Sequence, residues 1–277
     1  MSGKLYICPT PIGNLEDMTY RTVRILNEVD VIAAEDTRHS IKLLNHFDIS
    51  KPLTSYHEHN KDSKGGYLID KLLAGENIAI ISDAGMPGIS DPGEDIIKQA
   101  IENKIEIEVL PGATASVTAL VGSGLETRKF AFEGFLDRDK KVRRNQLEEV
   151  KEERRTIIFY ESPHRLKETL KDMLKILGNR KIAVNRELTK KYQEIIREDI
   201  ETVINIFNEK DVRGEFVLIV EGFTGEKTVQ NSYEELNDRE YVLALIEEGM
   251  DKKDAIKIVC KNRKLKKDVV YKQVLDI

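Results

Sequence analysis

Short apolar runs alternate with helical patterns through the first 121 residues, and this alternation constrains the fold more than any other feature of the chain. Lys4–Cys8, Asp30–Ala34, Pro52–Ser55, Asn77–Ser82 and Ile105–Leu110 read as strands. Helical periodicity is expected over Asp17–Glu28, Arg38–His46, Asp62–Ala74, Gly93–Asn103 and Thr114–Val121. Strands separated by helices require right-handed crossovers and give a mostly parallel sheet covered on both faces. The pattern pauses around Gly122–Arg128. It resumes with strands at Phe130–Phe135, Thr156–Tyr160, Lys181–Val184 and Phe216–Val220, and helices near Arg144–Glu153, Pro163–Leu177 and Ile200–Asn208. The longer spacings here imply some antiparallel pairing. Phe223–Ser232 is a polar linker, after which Tyr233–Glu248, Lys252–Cys260 and Leu265–Leu275 read as three short helices, a helix-turn-helix candidate. The expected fold class is α/β, with two α/β lobes at 1–121 and 122–223 and a small helical module at 233–277.

Charge narrows the partners. A net charge of −5 argues against nucleic acid, but its distribution argues the other way. Residues 252–272 hold nine Lys or Arg against two Asp, a local +7, so the remainder of the −5 chain carries −12. Such segregation lets an acidic body present a local polyanion-binding surface. Lys261, Arg263, Lys264, Lys266 and Lys267 are its candidate contacts, with a second cluster at Lys140, Lys141, Arg143 and Arg144. A solvated helix face is the plainer reading of that second cluster. No apolar run approaches a membrane span, the N-terminus lacks a signal-peptide pattern, and Cys8 and Cys260 lie far apart. A reducing cytosol and no metal site are expected.

In an open α/β sheet, ligands collect outside the carboxyl ends of the strands. Four segments rich in Gly, Pro or charge fall on that edge: Pro9–Leu15, Glu35–Arg38, Ser82–Gly93 and Pro111–Ser116. Gly and Pro hold backbone in non-repetitive shapes whose N–H and C=O groups can face a ligand. Any one of them is ordinarily a turn with a helix cap; four on one edge point to a site. None matches a dinucleotide or P-loop fingerprint. The second lobe adds Tyr160–Arg165, Arg186–Lys190 and Gly214–Gly222 at its own strand ends.

The ordered set TPIGNLEDMT, AEDTRHS, SDAGMPGISDPG, LPGATA, FEGFL, YESPHR, RELTK and GEFVLIVEG resembles the bacterial 16S ribosomal RNA ribose-2′-O-methyltransferase I family, within the tetrapyrrole-methylase superfamily. The likeness runs from the N-terminus to about Gly222, and the helical tail is similar to that family's C-terminal module. Met86 departs from the pattern, standing where Thr is expected. The resemblance implies two lobes with S-adenosyl-L-methionine in the cleft between them, a homodimer, no metal, and a cytidine of the small-subunit decoding region as target. Position by position it implies cofactor contacts from Pro9, Asp83, Met86, Thr114 and Ala115, with Tyr160, Glu161 and Leu188 from the second lobe.

A ribose hydroxyl is a weak nucleophile and benefits from a nearby proton acceptor. Glu35, Asp36 and Arg38, with Asn14, are expected on the acceptor side of the cleft. Asp36 is the expected acceptor of the hydroxyl proton and Arg38 the phosphate fork. Lys190 is a rival base if burial lowers its pKa. Two other readings stand beside this one: a C-methyltransferase on a porphyrin or corrin precursor, and a non-enzymatic nucleic-acid-binding regulator. A flat macrocycle needs no basic helical tail, and a regulator needs no acid-bearing face.

Overall fold

The computed structural model describes residues 2–225, 236–247, 249–263 and 265–274. The chain divides into two compact units, Met1–Thr224 and Gly225–Ile277. The larger begins β1 (Lys4–Ile7), α1 (Tyr20–Glu28), β2 (Val31–Ala34), α2 (Thr37–His46), β3 (Leu53–Ser55), α3 (Lys61–Leu73), β4 (Ile78–Ile81), α4 (Gly93–Glu102), β5 (Glu106–Val109) and α5 (Ala115–Ser123). Its first sheet has the order β3-β2-β4-β1-β5, with every pair parallel. β2 and β4 are buried along their whole length, as their continuous apolar sequences VIAA and IAII require. Each fully buried Ile or Leu in this core contributes roughly 1.5–3 kcal/mol.

The chain continues with β6 (Phe130–Phe135), α6 (Lys140–Glu149), β7 (Thr156–Glu161), α7 (Leu166–Leu177), β8 (Lys181–Arg186), β9 (Glu194–Asp199), α8 (Ile200–Asn208) and β10 (Phe216–Val220). The second sheet runs β6-β7-β10-β8-β9, parallel only at β6–β7. β9 is absent from the sequence reading because Glu194–Asp199 is a charged edge strand, a composition that discourages unwanted pairing and hides the strand pattern. α5 links the sheets. It follows β5 of the first and packs on β7, β8 and β10 of the second, where Ala119 and Leu120 are buried. Gly124, at φ 78°, ends it with the left-handed turn that glycine takes without strain.

The smaller unit holds α9 (Asp238–Glu247), α10 (Lys252–Arg263) and α11 (Lys267–Gln273), packed on one another around Tyr241, Val242, Leu245, Ile256, Val259 and Val270. Lys264, expected to contact RNA, and most of the expected linker lie outside the described residues. Among the described residues no helix is long and apolar enough to cross a membrane.

Candidate functional site

The order of the first sheet places β4 beside β1, so the chain reverses direction across the sheet between them and the helices that follow them lie on opposite faces. The loop after β4 is tied there. Thr10 and Gly85 exchange backbone hydrogen bonds at 2.9 and 3.1 Å, and Thr10 Oγ1 donates to the Ser82 carbonyl. Asp91 Oδ1 accepts from the N–H groups of Gly88 and Gly93, both at 2.8 Å, closing the far end of the loop. From the second sheet, the loop after β8 meets the loop after β1. A Cβ on Gly13 would lie 2.8 Å from the Leu188 carbonyl, and Asn14 N–H donates to Thr189 Oγ1. Ser90, Glu187 and Thr189 hold positive φ (63°, 51° and 63°), a strained state for non-glycine residues that clusters at functional loops.

These loops enclose a cavity of about 420 Å³ lined from both sheets, within the range of small-molecule sites. Of the eight expected cofactor contacts, Asp83, Met86, Thr114, Ala115, Tyr160, Glu161 and Leu188 line it. Pro9 does not; it packs against Gly112, where an added Cβ would lie 2.3 Å from its ring, and sets the approach of two loops. The Tyr160 hydroxyl accepts from Ser116 N–H at 3.2 Å, fixing the start of α5 against the cavity wall. Glu161 is saturated, bound by Arg165 at 2.9 Å, by Ser162 N–H and by Thr169 Oγ1. It builds the wall.

Glu35, Asp83 and Asp91 also line the cavity and make no ion pair among the described residues. Burial, then the charges of Asp83 and Asp91, push the Glu35 carboxyl above its ordinary range. The expected acceptor, Asp36, is placed differently. Its carboxylate accepts from the Arg38 side chain at 2.9 Å and from Arg38 N–H at 2.8 Å, capping α2. The Arg38 guanidinium, then its backbone N–H, hold Asp36 down at about 2, and Asp36 lines neither this cavity nor the next. A carboxylate so tightly satisfied is a poor base. Asn14 likewise spends its side-chain oxygen on Glu16 N–H.

A second cavity, about 470 Å³, shares Ile12, Asp83, Ala84 and Glu215 with the first. It adds His39, Lys42 and Lys190. His39 and Lys42 are one turn apart on α2, and the sequence reading gives neither a role. Burial alone would lower the Lys190 pKa, but ion pairs with Glu215 (2.8 Å) and Glu187 (3.0 Å) outweigh it and raise the pKa above the ordinary value. The condition for a lysine base, burial that lowers its pKa, is therefore not met.

Three expected RNA contacts are also redirected. Arg143 is buried, with both Nε and Nη2 on Asp172 at 3.0 and 2.9 Å, and Arg144 binds the other oxygen at 2.7 Å. Arg263 reaches Asp238 at 3.2 Å and the Leu236 carbonyl, and lies over the Tyr241 ring. Lys140, Lys141, Lys261, Lys266 and Lys267 are exposed. Among the described residues no group of three or more His, Cys, Asp or Glu could hold a metal ion.

The fold is shared with solved structures of low identity. A uroporphyrin III C-methyltransferase from Thermus thermophilus superposes with a TM-score of 0.58 at 18% identity, covering 79% of this chain and 97% of that one. A diphthine synthase gives 0.60 at 11%, covering 79% and 90%. A sequence model of tetrapyrrole (corrin/porphyrin) methylases matches residues 4–204. Much nearer in sequence is a ribosomal RNA small subunit methyltransferase I from Halalkalibacterium halodurans, 53% identical over 97% of this chain and 93% of the relative. Proteins of the same name from Bacillus subtilis (51%, covering 97% and 93%) and Synechocystis (45%, covering 99% and 98%) are similar throughout. The chain belongs to the tetrapyrrole methylase family and, within it, to the ribosomal RNA small subunit methyltransferase I group.

Proposed function

We propose that the protein methylates the ribose 2′-hydroxyl of a cytidine in the decoding region of 16S ribosomal RNA, using S-adenosylmethionine, as a homodimer in the cytoplasm. The observation that carries this reading is the pair of adjoining cavities, one apolar with unpaired carboxylates, the other bearing lysines and a histidine, with Asp83 and Ala84 in the wall between them. Full-length similarity to enzymes named for small-subunit ribosomal RNA supports the substrate. A structural relative solved with S-adenyl homocysteine supports the cofactor.

The first cavity fits that cofactor. Ile12, Met86, Leu188, Val217 and the Tyr160 ring offer apolar surface to a flat base. Glu35, Asp83 and Asp91 complement a cation, and the start of α5 at Thr114 and Ala115 offers N–H groups to a carboxylate. When bound, the cofactor supplies an electrophilic methyl on a cationic sulfur. The protein's work is then alignment and proton removal. Lys42 and His39 lie where they can hold a phosphate of the strand. Glu35, with its raised pKa, is the better-placed proton acceptor, and Asp83 faces both cavities. Holding hydroxyl and methyl in line is worth several orders of magnitude in rate.

The test is transfer of labelled methyl to undermethylated small subunits, to naked 16S RNA and to a porphyrin precursor. A 2′-O-methyl group blocks alkaline cleavage at its nucleotide, so label at an alkali-resistant cytidine is expected. Label in a base, or only in the macrocycle, overturns the proposal.

A further inference from the structure

We propose that the side-chain oxygen of Asn185 accepts a hydrogen bond from the exocyclic amine of the bound adenine, and so selects adenine over a base with a carbonyl at that position. The inference rests on the reading that the first cavity holds S-adenosylmethionine. Asn185 lies on β8, fully buried, paired across the sheet with Val217, which pairs in turn with Tyr160. All three line the cavity. The Asn185 amide nitrogen donates to the carbonyls of Ala183 and Val217, each at 3.3 Å. Two acceptors for two N–H groups fix which end of the amide is oxygen. That oxygen is buried and has no hydrogen-bond partner.

A buried carbonyl oxygen without a partner is unfavourable and uncommon in folded proteins. The other such side-chain atoms among the described residues belong to Ser40, Tyr56 and His57. None of these residues lines either cavity of the site. Asn185 is thus an unmet acceptor in the wall of a ligand-sized space; its oxygen is covered, and a small movement of the wall would let a ligand N–H or O–H reach it.

The neighbours decide which donor. Around Asn185 the wall is apolar: Val217, Leu188 and the Tyr160 ring. The carboxylates Glu35, Asp83 and Asp91, which make no ion pair among the described residues, come instead from the loops after β2 and β4, in the first sheet. Charge complementarity draws the ammonium and sulfonium towards the carboxylates, which leaves the flat base for the apolar wall. The base's own donor there is its amine. An aliphatic side chain of the same size would pack that wall equally well, so an amide at this position points to recognition.

The experiment measures binding by calorimetry, with no turnover involved. Two probes are used, S-adenosylhomocysteine and S-inosylhomocysteine, which replaces the amine with a carbonyl oxygen. Wild-type protein is expected to bind the adenosyl compound about tenfold or more tightly than the inosyl one, the worth of one good hydrogen bond. Asn185→Leu, with the same branching but bulkier methyl groups, is expected to lose about tenfold for the adenosyl compound and little for the inosyl, collapsing the preference. The ratio cancels any general loss of affinity, and thermal melting checks the fold. Asn185→Ala is read the same way should the leucine variant not melt cooperatively. A variant that keeps the full preference, or a wild type that has none, overturns the assignment while the cofactor reading stands. A wild type that binds neither probe overturns the cofactor reading and this proposal with it.

Discussion

A carboxyl group at a strand end has its proton affinity set by what surrounds it, and consecutive residues can be set in opposite directions. Asp36 turns to Arg38 and the first turn of α2, whereas Glu35 turns to a half-buried wall shared with two other carboxylates. Asp36→Ala therefore removes a helix cap, with a small loss of stability, and leaves methyl transfer within a few-fold of wild type. Glu35→Gln keeps the shape and removes the acceptor, so single-turnover methylation should fall by about 10² to 10⁴. A wild-type rate from Glu35→Gln would sink the assignment. The same residue has a stability signature. Because the folded state raises the Glu35 pKa, folding binds that proton more tightly than the unfolded chain does. The resulting stabilisation is complete below the unfolded value of about 4.3 and is lost as pH rises through the folded value. Relative to wild type, Glu35→Gln should melt higher at neutral pH, with the difference closing below about pH 4. A difference that grows on acidification would show that the shift runs the other way.

Among the elements, α6 and α7 are joined by charge where most of the unit is joined by hydrocarbon. Arg143 and Leu147 are the buried residues of α6, one turn apart, and Asp172 of α7 receives both Arg143 and Arg144. Removing one partner leaves an uncompensated buried charge, so Asp172→Ala should cost about 3–5 kcal/mol, on the order of 10 °C in Tm. Arg143→Met with Asp172→Leu should recover most of that loss, and failure to recover it would mean the charges are needed for more than each other. This pair also shows where sequence reading stops. The five parallel strands are legible as short runs between helical patterns, and the loops that bound the cavity are legible because Gly, Pro and cap residues mark strand ends; the seven expected side chains that line it are implied by the family resemblance. Starting α6 at Arg144 instead of Lys140 conceals the i, i+4 face shared by Arg143 and Leu147, and makes a buried anchor look like an RNA patch. Asn185 escapes notice for a related reason. Nothing local distinguishes a polar residue at the end of an apolar strand from a solvated one; the distinction comes from Val217 and Tyr160, on strands distant in sequence.

At the scale of the whole molecule, the smaller unit is neutral overall, with eleven Lys or Arg against eleven Asp or Glu over 225–277, and its basic residues gather in its last two helices. Nine basic residues against two acidic lie within 252–272, inside the unit that has its own apolar core. Arg263 is held by Asp238, and Lys257 pairs with Asp254, so charge count alone overstates what is available to a polyanion. Lys266 and Lys267 are exposed at the start of α11, where a positive charge opposes the helix dipole. Lysines there do nothing for the helix, which favours a role outside the unit. Replacing both with Glu should leave the fold intact or slightly more stable, because the dipole then favours the new charges. Binding to small subunits should weaken, and the slope of log affinity against log salt should become shallower by roughly one for each phosphate no longer neutralised. Removing everything after Thr224 should go further in the same direction while S-adenosylhomocysteine binds unchanged, since every residue lining the first cavity precedes that point. Calorimetry with the cofactor product and salt-titrated subunit binding measure the two effects separately. An unaltered salt slope in both proteins would remove the tail from the RNA-binding surface and leave recognition to the larger unit, where Lys42, Lys140 and Lys141 would be the next residues to change.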